Sequence, residues 1–62
     1  MRTWTDDEVV THVGYYLRYA EEIGRPASMV GYHLWRFADS PTEARVRLYG
    51  WDRAVSDARA VA

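Results

Sequence analysis

The chain contains no cysteine and no lysine. Without cysteine there is neither a disulfide nor a thiolate metal site, and nothing points to an oxidising compartment. No apolar run approaches the roughly 20 residues that span a bilayer, so no membrane segment is expected. The start, Met1-Arg2-Thr3-Trp4-Thr5-Asp6-Asp7-Glu8, has no apolar stretch of the signal-peptide kind, and a cytoplasmic protein is expected. Length is short as well. A chain of 62 residues is one small domain, and at that size folding buries only about 60% of the surface the unfolded chain exposes.

What is present is apolar and aromatic. Hydrophobic residues make up 48% of the chain and charged residues 27%, which suits a folded domain and not a disordered one. Three Trp, five Tyr and one Phe are a heavy aromatic load for so short a chain. The net charge is −1 but unevenly spread: residues 1–24 hold Arg2 and Arg18 against five carboxylates, while residues 25–62 hold six arginines against four. Arginine suits bidentate contact with carboxylate, phosphate or base edges. A chain this close to neutral is nonetheless a poor general phosphate binder.

Two breaks, Gly24-Arg25-Pro26 and Asp39-Ser40-Pro41, divide the chain into three segments and predict three helices at about 5–23, 27–38 and 41–60. In the first, Thr5 and Glu8 fit a capping box, and Trp4 with Val9 fits a hydrophobic staple. Val9, Val13, Tyr16, Ala20 and Ile23 form one apolar stripe, widened by Val10 and Leu17, and Gly24 is the natural stop. In the second, Val30, Leu34 and Phe37 read as the core stripe, with Met29, Tyr32, Trp35 and Arg36 pointing away. A helix apolar nearly all round is buried on two sides or offers a face to a partner. The third starts with Ser40 as cap, Pro41 and then Glu43. Its stripe runs Ala44, Leu48, Trp51, Val55, Ala58 and Ala62, with Glu43–Arg47 as an i,i+4 pair. Residues 45–51 also alternate as a short strand would, which would use Val46. The helical reading leaves Val46 exposed.

Catalysis is not expected. His12 and His33 fall on different segments, and Ser28, Ser40 and Ser56 are better explained as helix starts and solvent-exposed positions than as parts of a triad. Glu8 and His12 share a helix face, but two ligands do not close a metal site. Neither a metal nor any cofactor is expected.

The stretch from Tyr19 to Phe37 resembles a helix-turn-helix. Ala20 stands where the family has a small residue, Ile23 and Gly24 stand at the turn, and Val30 and Leu34 stand at its buried aliphatic positions. Ser28-Met29-Val30-Gly31-Tyr32-His33-Leu34 further resembles the recognition helix of winged-helix repressors of the arsenic-sensor type, without their sensor cysteines. The resemblance covers roughly residues 17–37. The three segments give an all-α, compact three-helix domain, and the resemblance makes the corner between helices 1 and 2 helix-turn-helix-like. The resemblance implies a DNA-binding regulator in which Ser28, Met29, Tyr32 and Arg36 face the major groove and Arg25 touches phosphate, acting as a dimer because one short reading helix with so few positive charges binds weakly. A second reading rests on residue types. Trp, Tyr and Arg are enriched at protein–protein hot spots, so Met29, Tyr32, Trp35 and Arg36 would form an anchor patch and Tyr15 with Tyr19 a second aromatic shelf. The chain would then be a protein-binding adaptor or inhibitor, as small phage or mobile-element proteins often are. Either reading favours a homo-oligomer.

Overall fold

The computed structural model describes residues 3–61. These form four helices and no strand: α1 (Asp6–Ile23), α2 (Met29–Trp35), α3 (Glu43–Tyr49) and α4 (Trp51–Val61). The all-α expectation holds, and the strand alternative for residues 45–51 does not.

α1 is set by local chemistry at both ends. The Thr5 hydroxyl accepts from Glu8 N–H at 3.1 Å, and the Glu8 carboxylate accepts from Thr5 N–H at 3.0 Å. Asp6, Asp7 and Glu8 set negative charge against the positive end of the helix dipole. At the other end Gly24 turns left-handed, with φ 69°. The N–H groups of Gly24 and Arg25 then reach back to the carbonyls of Glu21 and Ala20, the paired bonds of a Schellman stop.

α1 packs most extensively on α4, and α2 and α3 pack on α1 and on each other, with α3 also meeting α4. The core is Val9, Val13, Tyr16 and Ala20 of α1 with Tyr32, Val46 and Ala54, one residue from each remaining helix. The Tyr16 and Tyr32 rings meet edge to face, 5.8 Å apart. Trp35 and Trp51 lie 5.5 and 6.1 Å from Tyr16. Such ring pairs add about 0.5–1.5 kcal/mol each beyond the area they bury. With Cα extents of 34 × 23 × 15 Å, the molecule is a slab in which the short helices can bury only one face.

That limit decides α2, which is turned about its axis from the expected orientation. Tyr32 has 0% exposure, while Val30, Leu34 and Phe37 are 66, 78 and 74% exposed. A two-turn helix that is apolar on both sides can bury one, and Tyr32 with Trp35 brings more area inward than Val30 with Leu34. α2 is also shorter than residues 27–38. Ser28 caps its start, accepting from Gly31 N–H at 3.0 Å, and Arg36 leaves the helix in extended conformation.

The expected third helix is two helices. Gly50, at φ 108° and ψ 117°, holds a conformation that only glycine adopts readily, and it resets the phase of the apolar stripe. Before it, Val46 is buried and Leu48 is 80% exposed, the reverse of the expectation; after it, Ala54 is buried and Trp51, Val55 and Ala58 pack against the core. Ala62 lies outside the described residues. The cap also differs: Thr42, not Ser40, accepts from Arg45 N–H, because the Ser40 hydroxyl donates to the Phe37 carbonyl at 2.6 Å. Glu43 and Arg47 are paired as expected. Arg45 anchors α3 to the N-terminal segment, with Nε on the Trp4 carbonyl at 3.0 Å and Nη2 on Asp6 at 2.7 Å. Ile23, placed in the α1 stripe, is exposed at the last position of α1.

Two glycines inside helices make opposite predictions. A Cβ at Gly14 would meet Ala58 Cβ at 3.7 Å, an ordinary contact, whereas a Cβ at Gly31 would overlap Tyr16 Oη, whose ring is buried. Gly14→Ala is expected to stabilise by about 0.5–1 kcal/mol, and Gly31→Ala to destabilise by about 1–3 kcal/mol. Thermal unfolding followed by circular dichroism checks both; the two melting temperatures should move in opposite directions.

Candidate functional site

The region singled out by the sequence is α2 with the turns on either side, and its geometry starts from one buried hydroxyl. Tyr32 Oη donates to the Pro41 carbonyl at 2.7 Å. The Arg36 guanidinium closes on the same connector, with Nε on the Pro41 carbonyl at 3.0 Å and Nη2 on the Ser40 carbonyl at 2.9 Å. On the other side of α2, Ser28 N–H donates to Tyr16 Oη at 3.2 Å. α2 is thus held by tyrosine hydroxyls and an arginine as well as by packing.

These bonds divide the expected binding residues. Tyr32, expected on a binding face, is buried because its ring completes the core and its hydroxyl has a carbonyl partner. Arg36, expected to read a base edge, is half-buried with its donors on backbone carbonyls. Met29 and Trp35 are partly buried against the core, and Trp35 touches Tyr16, Tyr19, Tyr32 and Phe37. Only Arg25 and Ser28 of the six are exposed, and the Ser28 hydroxyl is engaged as a helix cap. Tyr15 and Tyr19 are exposed but do not make one shelf: Tyr15 lines a groove toward α4, and Tyr19 lines a groove toward α2. His12 stacks edge-on between Trp4 and Tyr15, and His33 lies 3.8 Å from the Glu43 carboxylate at the surface.

The face that is open is the one assigned to the core from the sequence. Val30, Leu34 and Phe37 stand outward on and beyond α2. Tyr19 and Ile23 continue the patch along α1, and a shallow groove of about 470 Å³ runs between the two helices with Ala20 and Trp35 in its walls. No carboxylate lines this groove, and Arg25 at its end is its one charged side chain. Soluble monomers rarely leave an apolar patch of more than a few hundred Å² uncovered. The signal for it was in the sequence, in a helix apolar on both sides; what was missing was which side turns in.

Among the described residues no group of three or more His, Asp or Glu is placed to hold a metal ion, and no helix is long and apolar enough to cross a membrane. No family model matches the chain, and neither a characterised protein nor a solved structure matches it.

Two tyrosines give the structure a pH limit. Burial pushes the Tyr32 phenol above its ordinary value of 10.0, against the lowering effects of Arg36 and Ser40. Tyr49 is raised chiefly because its hydroxyl donates to the Asp57 carboxylate, with desolvation adding to it. A phenol whose folded pKa lies above its unfolded one stabilises the fold fully below the unfolded value, and loses that contribution as pH rises through the folded value. Stability is therefore expected to fall as pH rises above about 10. Tyr32→Phe, which lacks the Pro41 bond, should cost about 1 kcal/mol near neutral pH and soften this alkaline loss. Urea titrations at a series of pH values check both.

Proposed function

We propose that this chain is a non-catalytic protein-binding module that works as a homodimer, the outer face of α2 in one copy closing on that of a second. The observation that carries the reading is the outward stripe of Val30, Leu34 and Phe37, continued by Tyr19 and Ile23. A twofold contact sets the same patch against itself, so it works best where the patch holds no repelling charges. This one is apolar along its length, and a net charge of −1 leaves little repulsion between copies. A standard interface takes about 800 Å² from each partner, under a fifth of this molecule's 4455 Å² surface. Composition without disulfide-forming residues fits a cytoplasmic setting.

The DNA-binding reading has less support. It needs Val30 and Leu34 inward and Tyr32 and Arg36 outward, and α2 is turned the other way. Arg25 is the sole unengaged cation of its set.

In sedimentation equilibrium at micromolar concentration the chain is expected to run as a dimer. Val30→Asp and Leu34→Arg, made separately, should each yield monomers with unchanged helicity, because neither side chain is part of the core and each charge suits its end of the helix dipole. A monomeric parent chain, or variants that dimerise as well as the parent, would sink the proposal.

A further inference from the structure

Among the described residues the arginines fall into two groups. Arg36 holds the Ser40 and Pro41 carbonyls, Arg45 holds Trp4 and Asp6, Arg47 pairs with Glu43, and Arg53 lies over the Tyr49 ring and near Asp57. Arg18, Arg25 and Arg59 make no ion pair or hydrogen bond with any described residue through their guanidinium groups. These three come from three different elements, α1, the α1–α2 turn and α4, yet all line one groove of about 1020 Å³ between α1 and α4.

The lining between them is apolar. Val10, Leu17, Ala58 and Val61 make up much of it, with Tyr15 among its walls. Gly14 of α1 faces Ala58 of α4 there. Three carboxylates also reach the groove. Asp57 is already engaged by Tyr49 and Arg53, while Asp7 and Glu21 are exposed. A continuous polyanion such as duplex DNA would meet both of these carboxylates and would cover apolar lining with phosphate. A polypeptide can place its acids singly and lay an apolar side on the floor, the helix-in-groove mode of recognition. Exposed arginine beside an aromatic is also the composition that protein–protein hot spots favour.

We propose that the α1/α4 groove binds an acidic amphipathic helix of a partner protein, with Arg18, Arg25 and Arg59 taking its carboxylates and Val10, Leu17 and Val61 its apolar side. The site does not depend on the dimer face, although the two grooves meet at Ala20, Arg25 and Pro26. A dimer would present it twice.

The test uses the full chain and two labelled synthetic helical peptides with identical leucine positions, one carrying glutamate and the other lysine at its polar positions. Fluorescence anisotropy should show the acidic peptide binding at least about tenfold more tightly than the basic one, with affinity falling as salt rises. The triple variant Arg18→Gln/Arg25→Gln/Arg59→Gln should lose at least about tenfold in affinity with helicity retained, whereas Arg47→Gln, outside the groove, should bind like the parent. Leu34→Arg should bind the peptide normally even if it is monomeric, which keeps this result separate from that of the dimer. No acidic-peptide binding, equal binding of the two peptides, a triple variant that binds like the parent, or duplex DNA that outcompetes the acidic peptide would each overturn the proposal.

Discussion

The buried bond from the Tyr32 hydroxyl to the Pro41 carbonyl is the constraint on which the rest of the molecule turns. A tyrosine can be fully enclosed only where its hydroxyl finds an acceptor, since an unpaired buried polar group costs more than the bond is worth. Here the acceptor lies in the connector between α2 and α3, so placing the ring also fixes the path of residues 36–42. Arg36 adds two bonds to the same stretch. With Tyr32 inward, the helix has no rotation left that hides Val30 and Leu34. The apolar outer face is therefore a direct result of how the core is closed.

Local chemistry was legible in the sequence and long-range choice was not. The start and stop of α1 depend on residues within four or five positions of one another, so Thr5, Glu8 and Gly24 could be read directly. α2 could be located but not oriented. The spacing of Val30, Leu34 and Phe37 is as regular as that of Met29, Tyr32 and Trp35, and periodicity alone cannot choose between two apolar sides. Ring size and a carbonyl nine residues away made the choice. Gly50 was equally ambiguous, because a stripe spaced by threes and fours runs through it on paper, while its backbone conformation interrupts the helix in space. At the candidate site, Arg25 is exposed, whereas the Arg36 donors are spent on backbone carbonyls. Nothing in the residue type tells a guanidinium aimed outward from one that ties down its own chain.

The arginines of the described residues differ in what their guanidinium groups touch. Arg36 and Arg45 join elements that a thin slab could not hold by packing alone, and both do so through backbone carbonyls. Arg18, Arg25 and Arg59 are left facing outward along one groove. The apolar patch and the arginine groove then lie on either side of the α1–α2 turn, sharing its residues. Two contacts of different chemistry, one apolar and one charged, would let a chain of this size join partners that differ in kind.

Tying segments with guanidinium groups to carbonyls has one more consequence. The donor is a charged guanidinium and the acceptor a neutral backbone carbonyl, so each is a charge-assisted bond that needs no second charged side chain. They also contain no bond that a thiol could reduce. A secreted mini-protein held by disulfides changes stability with the redox state of its surroundings; the ties to Trp4, Ser40 and Pro41 carry no such dependence.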